Sequence, residues 1–340
     1  MTASINPMQV LAGLGWRDDL PAARAWSTQP PGRPARVSEQ HRSGYRVCDG
    51  EREFAVQAPA PWTRRGFAPE ARAVVGDFVR LHPHEDRIET LLPRSSLFRR
   101  GAAGEHLKVQ PIAANIDTVL VVTGLDRDFN PRRLERYLVL VQASGAAPVL
   151  VLTKLDRCED PDTPRQRLRE IEATGVPVVP INAKSAQAID ALTPWLGPGQ
   201  SVVLVGSSGA GKSTLANTLL GREKMRTGAV RAQDERGRHT TTHRALLTLP
   251  QGGCLIDTPG MRELKLTGTE DVADQVFDDI EELALNCRFR DCHHRTEPGC
   301  AVRAALACGH LDAARLGNYL KLLDERERAG MTLATRKDVT

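Results

Sequence analysis

The chain has 340 residues, of which 41% are hydrophobic and 26% charged, and its formal net charge is +4. This length allows two or three domains, each with its own core, and the small positive charge permits contact with nucleic acid without requiring it. The longest apolar runs, such as 119–122 and 149–152, are far shorter than the ~20 residues that span a bilayer. The N-terminal residues lack a basic region followed by an apolar stretch. These features argue against a membrane protein and a secreted one, and we expect a cytoplasmic location.

The first part of the chain, residues 1–34, contains Pro21, Pro30, Pro31 and Pro34 and shows little hydrophobic periodicity. Prolines in such a segment interrupt regular structure. The pattern predicts an irregular or partly ordered leader.

Short strands are predicted for residues 35–97. Alternating apolar residues flank the dipeptide Asp49-Gly50, which suits the positive φ angles of a tight hairpin turn. Strands of this kind over about 60 residues are typical of a small β-barrel such as an OB-fold. The segment is rich in arginine, which indicates either an RNA-binding surface or simply a solvated one.

From residue 98 to 275 the pattern changes to strands that alternate with helices. Asn130-Pro131 is a helix start, with a capping side chain followed by proline in the first turn, and Gly145 ends that helix. Thr163-Pro164 repeats the start, and Gly175 is the next stop. Alternation of this kind predicts a parallel sheet covered by helices.

A complete phosphate-binding loop motif follows the apolar strand 202–205 and opens a helix, which is the context that the motif requires. Its glycines allow backbone N–H groups to converge on phosphate oxygens at a helix N-terminus. In such loops the lysine, here Lys212, contacts the β- and γ-phosphates, and the hydroxyl of the next residue, here Ser213, binds Mg²⁺. The predicted residues are Gly206, Ser207, Ser208, Gly209, Ala210, Gly211, Lys212, Ser213 and Thr214.

Two further segments fit a nucleotide site. Asp257 ends an apolar strand and can hold the Mg²⁺ shell, while the backbone N–H of Gly260 can sense the γ-phosphate. Between them and the phosphate loop lies the polar segment 237–243, in which Thr241, in preference to Thr240, is predicted to bind Mg²⁺.

Base recognition is assigned first to Thr153, Lys154 and Asp156, which follow the apolar run 149–152 and resemble the Asn-Lys-x-Asp motif of GTPases. An aspartate carboxylate can accept hydrogen bonds from both N1–H and the 2-amino group of guanine, a pair that adenine lacks. Thr153 stands in place of the usual asparagine. We therefore expect loss of the side-chain amide that ties the base loop to the phosphate loop.

A second base motif, formed by Asn182, Ala183 and Lys184, ends the next strand and resembles the Ser-Ala-Lys motif, whose backbone N–H contacts guanine O6. Ordinary GTPases place both base motifs after the phosphate loop, whereas here both come before it. The same sheet can form if the usual termini are joined and the chain is cut after residues 257–260. The motif order therefore predicts a circularly permuted GTPase domain.

The last part of the chain, residues 276–340, is predicted to be a helical zinc-binding domain. Three of the seven cysteines lie close to a histidine, and thiolates with imidazole are the ligands of closed, structural Zn²⁺ sites. His293 and Cys308 are alternative ligands. The predicted set is Cys287, Cys292, His294 and Cys300.

These motifs in this order resemble the ribosome small-subunit-dependent GTPase A family, a bacterial group of circularly permuted GTPases. The resemblance covers residues 36–325 and is most specific at 237–243, at 257–260 and at the cysteine cluster. It implies a multidomain protein: an N-terminal OB-fold β-barrel, a central circularly permuted α/β GTPase domain and a C-terminal α-helical zinc domain. It also implies that His294 rather than His293 binds the zinc, since the family's histidine follows the second cysteine by two residues.

The resemblance further implies a role in late maturation of the 30S ribosomal subunit, with binding to 16S rRNA and GTP hydrolysis that the subunit stimulates. The implied ligands are GTP or GDP, Mg²⁺ and one structural Zn²⁺, and a monomer is expected. Met261 stands where many GTPases have the glutamine that orients the attacking water. We hypothesise that His239 supplies this function beside Lys212 and Thr241; the alternative is that His239 only stabilises its loop or contacts RNA.

Two other interpretations fit fewer of the motifs. In one, the protein is an RNA-binding zinc protein that senses guanine nucleotides, and hydrolysis is secondary. In the other, it is a different phosphate-loop enzyme such as a small-molecule kinase, but no acceptor site is evident in the sequence and the base motifs favour guanine.

Overall fold

The structure is a computed structural model that describes residues 6–41, 44–64, 66–101, 109–126, 129–160, 162–166, 168–222, 244–257 and 277–337. Three of the predicted site residues, His239, Thr241 and Gly260, lie outside these ranges, as does Met261. Within the described ranges, no helix combines the length and the apolarity needed to cross a membrane.

The described chain consists of strands near its N-terminus, alternating strands and helices in its centre and helices near its C-terminus. The helices are α1 Pro7–Leu11, α2 Pro21–Trp26, α3 Pro131–Gln142, α4 Asp162–Gln166, α5 Arg169–Ala173, α6 Gln187–Leu192, α7 Lys212–Leu220, α8 Asp278–Ala284, α9 Ala301–Ala307 and α10 Ala313–Lys337. The strands are β1 Arg33–His41, β2 Gly44–Cys48, β3 Glu53–Val56, β4 Phe78–Leu81, β5 Ile88–Leu91, β6 Leu97–Gly101, β7 Val109–Ala114, β8 Thr118–Gly124, β9 Ala147–Thr153, β10 Val178–Pro180, β11 Ser201–Val205, β12 Arg244–Thr248 and β13 Cys254–Asp257.

The central sheet has the strand order β10-β9-β8-β11-β13-β12. Its first five strands pair in parallel and β12 pairs antiparallel with β13, so the predicted parallel sheet is confirmed. Every residue of β8 is buried, as expected for a strand covered on both faces. Apolar cores lie on the two faces, one including Val203 and Ile256 and the other including Val202 and Leu255. Strand β11, which leads into the phosphate loop, lies in the middle of the sheet although β8, β9 and β10 precede it in the chain.

The helix starts agree with the sequence patterns in part. Asn130 caps α3 as predicted, because its side chain accepts the N–H of Arg133, and Pro131 is the first helical residue. The second predicted helix begins at Asp162, two residues before Pro164, which was expected to be its first residue, and the segment forms α4 and α5.

The N-terminal strands form an antiparallel unit in which β1 pairs with β2 on one side and with β4 on the other. Strand β2 then pairs with β3, and β4 pairs with β5. The predicted hairpin is confirmed: Val47 lies opposite Phe54, and Gly50 takes a φ of +97° in the turn. Strand β1 also pairs with β12, so the central sheet continues into the N-terminal unit, which the sequence did not predict.

The leader is more regular than the sequence predicted. Residues 6–34 form α1, a 3-10 turn and α2, and Trp16 is buried against Phe78, with ring centroids 5.0 Å apart. Pro21 interrupts nothing, because it occupies the first turn of α2, where the missing N–H costs no hydrogen bond. Of the two predicted forms, an irregular leader does not describe these residues, because they contain helices and pack on β4.

A buried arginine connects the leader, the N-terminal unit and the central sheet. Arg36 is 0% exposed. It donates hydrogen bonds to the carbonyls of Leu14, Gly76 and Asn115 and to the hydroxyl of Ser201, the first residue of β11. Burial lowers the pKa of Arg36. A buried guanidinium requires such a set of acceptors, so the three parts are held together where β11 begins.

The C-terminal helices contact the central domain through a second buried arginine. Arg315 of α10 lies 2.9 Å from Glu135 of α3 and 2.7 Å from Asp279 of α8. Asn318 also donates to Glu135. This network joins the C-terminal segment to α3, which covers β8 and β9.

Candidate nucleotide site and metal centre

The phosphate loop joins β11 to α7 through backbone that requires glycine. Gly206, Gly209 and Gly211 have φ angles of +143°, +83° and +94°. A Cβ on Gly206 would lie 2.1 Å from the carbonyl oxygen of Val122. The loop therefore has the backbone conformation that the motif predicts, and it lies at the N-terminus of α7, where backbone N–H groups can bind an anion.

The predicted phosphate and Mg²⁺ residues gather around this loop. Lys212 donates from Nζ to the carbonyl of Gly206, at 2.8 Å, and to that of Ser207. Ser213 lies in the first turn of α7, and Asp257 ends β13, the neighbour of β11. A hydroxyl and a carboxylate are the oxygen ligands that Mg²⁺ prefers, so the residues present fit this ion.

The base loop follows β9 at the same edge of the sheet. Lys154 has a positive φ of +63°, and Asp156 lies exposed in the 3-10 turn that follows. The second base segment follows β10, which pairs in parallel with β9. There the Asn182 side chain accepts the N–H of Lys184 at 3.0 Å, as a serine hydroxyl could. Parallel pairing thus brings both base motifs to one edge.

The expected loss of a tie between the base loop and the phosphate loop is corrected by the structure. The hydroxyl of Thr153 donates to the carbonyl of Ala210 at 2.6 Å and lies 3.2 Å from that of Thr123. A hydroxyl has one hydrogen, and the shorter contact is the one to the phosphate loop. A second link runs from the hydroxyl of Thr218 on α7 to the carbonyl of Ala183, at 2.7 Å.

A cavity of about 370 Å³ lies between these loops. Its volume falls within the range of small-ligand sites. The base motifs and the phosphate loop line it together, and Arg157 is a lining residue that the sequence analysis missed, although it directly follows Asp156. Its wall is formed by Thr153, Lys154, Asp156, Arg157, Asn182, Ala183, Lys184, Gly209, Gly211 and Thr214.

The metal centre brings together the four predicted ligands. The ligand atoms of Cys287, Cys292, His294 and Cys300 all lie within 4.8 Å of one another. The sulfurs of Cys287 and Cys300 are 3.8 Å apart, and they lie 3.6 and 3.4 Å from Nδ1 of His294. A tetrahedral Zn²⁺ requires about 3.8 Å between two sulfurs and about 3.6 Å between sulfur and nitrogen. The residues therefore fit zinc.

Neither alternative ligand belongs to this cluster. His293 precedes the clustered His294, and its backbone N–H donates to Glu297. Cys308 is exposed at the end of α9. Burial lowers the pKa of His294, which favours the neutral imidazole that binds metals.

The loop that carries His294 is organised by one carboxylate. Glu297 accepts backbone N–H groups from His293, Arg295 and Thr296, at 3.1, 2.8 and 2.9 Å. Hydrogen bonds from its own backbone N–H first, and then from these neighbours, lower the pKa of Glu297 to about 2. The stabilisation of the loop by these hydrogen bonds is fully present above the ordinary carboxyl pKa and is lost as the pH falls through about 2. The carboxylate therefore stays ionised wherever thiolates can bind zinc.

The chain is similar to one family of known proteins over most of its length. The family model of the RsgA GTPase matches residues 91–267. The small ribosomal subunit biogenesis GTPase RsgA of Xanthomonas axonopodis pv. citri (strain 306) is 56% identical over 332 residues, which cover 96% of this chain and 91% of that protein. The protein of the same name from Xylella fastidiosa (strain M12) is 55% identical and covers 93% of this chain. Because the similarity covers 96% of this chain, it extends into the leader, whereas the resemblance seen in the motifs began at residue 36.

Two solved structures share the fold. The crystal structure of YjeQ from Thermotoga maritima has a TM-score of 0.63 and 26% identity, over 86% of this chain and 98% of that one. The structure of YloQ, described as a circularly permuted GTPase, has a TM-score of 0.62 and 24% identity, over 87% of this chain and 96% of that one. The permuted fold that the motif order predicts is confirmed.

Replacing Thr153 by valine tests the tie between the two loops. Thr153→Val keeps the shape but leaves the Ala210 carbonyl without its donor, so the free energy of unfolding should fall by about 1–2 kcal/mol. Affinity for GDP should fall roughly tenfold, which corresponds to about 1.4 kcal/mol. Both are measured on the full chain, by urea denaturation and by titration with a fluorescent GDP analogue.

Two variants serve as controls for this change. Thr153→Ser retains the hydroxyl and should restore GDP affinity. Thr174→Val removes a half-buried hydroxyl that donates to the carbonyl of Ile171 in its own segment, and should leave affinity unchanged. Wild-type affinity in Thr153→Val would contradict the role of the tie.

Removing the Glu297 carboxylate tests the support of the metal loop. Glu297→Ala should weaken zinc binding by about 10–100-fold, as loss of an outer-shell partner does elsewhere. Competition with a chromophoric chelator measures the affinity, and the exposed Glu282→Ala is the matched control. Equal zinc affinity in the two variants would show that the hydrogen bonds of Glu297 do not support the site.

Proposed function

Because the chain belongs to the RsgA family of GTPases, we propose that it hydrolyses GTP in the maturation of the small ribosomal subunit. The observation that carries this proposal is the cavity in which the base motifs and the phosphate loop meet. The relatives that are more than half identical are themselves small ribosomal subunit biogenesis GTPases by name.

Guanine selectivity is assigned to the exposed carboxylate of Asp156 and the backbone of Ala183. The carboxylate accepts from N1–H and the 2-amino group, whereas adenine offers no such pair of donors and would bind more weakly. The N–H of Ala183 contacts guanine O6. The bond from Thr218 to the Ala183 carbonyl supports this segment from α7, which also carries the phosphate-binding residues.

Phosphate binding is assigned to the backbone N–H groups of the loop and to Lys212, whose ammonium exchanges its two loop carbonyls for phosphate oxygens. Ser213 and Asp257 would hold Mg²⁺, together with Thr241. The ion neutralises charge on the β- and γ-phosphates when it is bound. His239 is proposed to orient the attacking water through its imidazole.

The finer organisation is also part of the proposal. Residues 35–97 form an OB-fold that binds rRNA, 98–275 the GTPase domain and 276–340 the zinc domain, with 1–34 as a leader that packs on the others. The hairpin of β6 and β7 begins at the boundary between the OB-fold and the GTPase domain. The arginine content of the N-terminal unit supports contact with 16S rRNA. A monomer that acts in the cytoplasm, where small subunits mature, completes the proposal.

Hydrolysis measured with and without purified small ribosomal subunits tests this function. We expect slow GTP turnover by the protein alone and strong stimulation by the subunits, since groups supplied in trans accelerate other GTPases by about 10³–10⁵. Lys212→Ala should abolish the stimulated rate. A rate that the subunits do not change, or equal hydrolysis of ATP, would contradict the proposal.

A further inference from the structure

One acidic residue beside the base loop belongs to no motif. Asp126 lies just beyond β8, as Lys154 lies just beyond β9, and these strands pair in parallel with Gly124 opposite Thr153. The N–H of Leu125 donates to the carbonyl of Thr153 at 2.9 Å, so the register continues past the strand ends. Sheet geometry therefore places Asp126 next to the base loop.

Asp126 and Lys154 form an ion pair, with 2.5 Å between Oδ2 and Nζ. Lys154 lines the cavity, whereas Asp126 does not. The lysine is thus fixed at both ends, by a backbone φ of +63° and by the carboxylate at its ammonium. Its methylene chain lies between these two fixed points.

The position of Asp126 is itself fixed. Its carbonyl accepts the N–H of Phe129 at 2.9 Å, and Asn130 then caps α3. Gly124 leaves room for the pair: a Cβ there would lie 2.8 Å from Oδ1 of Asp126 and 3.1 Å from Nζ of Lys154. A side chain at position 124 would therefore require the two ends of the ion pair to shift.

We propose that Asp126 is a positioning residue for guanine binding, an inference that rests on the proposed function. By holding the ammonium, it sets the methylene chain of Lys154 as a wall of the base pocket before the nucleotide binds. A lysine that is already ordered loses less conformational entropy on binding, which increases affinity. Asp126 does not line the cavity, so it acts on affinity and not on the chemical step.

When Asp126 loses its charge, the proposal and simple electrostatics predict opposite changes in nucleotide affinity. A carboxylate near a polyphosphate repels it, so removing the charge alone should leave nucleotide affinity equal or higher. Loss of the lysine's anchor should lower it. For Asp126→Asn we expect about 3–10-fold weaker binding of both GDP and GTP, with kcat at saturating GTP unchanged.

The test uses the full chain, a fluorescent GDP analogue and subunit-stimulated turnover. Glu159→Gln is the matched control, because it removes an exposed carboxylate just after the same loop. Gly124→Ala keeps both charges but pushes the pair apart, and should weaken binding in the same direction. Asp126→Glu, which retains a carboxylate, should bind more tightly than Asp126→Asn. Thermal unfolding midpoints that match the wild type show that the variants fold.

The outcomes separate this inference from the proposed function. Binding by Asp126→Asn that is as tight as, or tighter than, binding by the wild type would overturn the inference, as would a lower kcat with unchanged affinity. If the wild type binds GDP and GTP, and Asp126→Asn binds them as tightly as the control Glu159→Gln does, the inference fails and the proposed function stands. If the wild type binds no guanine nucleotide, the proposed function fails with it.

Discussion

The hydrogen bond from Thr153 to the Ala210 carbonyl joins two loops that lie 57 residues apart in the chain. One loop carries the residues assigned to the base and the other those assigned to the phosphates, so their separation must be fixed for one nucleotide to contact both. Neighbouring parallel strands end at the same edge of the sheet, and this geometry brings the loops close. The hydroxyl of Thr153 then sets the final distance between them. A nucleotide site built this way depends on the order of strands in space and not on their order in the chain.

The circular permutation leaves the nucleotide edge intact and changes what is attached to the sheet. On one side, β12 pairs with β1, and Arg36 joins the leader and the N-terminal unit to the start of β11. On the other, Arg315 joins the C-terminal helices to Glu135 on α3. The strand that leads to the phosphate loop and the helix that follows Asp126 are therefore each held by an attached segment. A partner that binds the N-terminal unit or the C-terminal helices can thus affect β11 or α3, which lie close to the cavity.

The sequence predicted the features that are encoded by local chemistry. The phosphate loop, the Asp49-Gly50 hairpin and the zinc ligands each depend on residue types at short spacing, and the structure brings each set together. The parallel sheet followed from apolar runs that alternate with capped helices. The three motifs are each complete within one short stretch of chain, although the choice of His294 over His293 followed from the family resemblance.

The features that were missed depend on distant partners. The leader is ordered because Trp16 packs on Phe78, a contact that no local pattern of prolines reveals. The hydroxyl of Thr153 replaces an amide only because the Ala210 carbonyl lies within its reach. Asp126 lies beside the base loop because β8 and β9 pair in parallel, and it belongs to no motif.

The central claim is that Asp156 meets the purine whose phosphates lie on the loop around Lys212. Replacing Asp156 by asparagine exchanges an acceptor for an amide that can donate to the 2-oxo group of xanthine. The most direct measurement is competition between GTP and XTP for the wild type and for Asp156→Asn. The account predicts that the wild type prefers GTP and the variant prefers XTP, with phosphate binding retained. An unchanged preference for GTP in the variant would contradict the placement of the base and, with it, the proposed function.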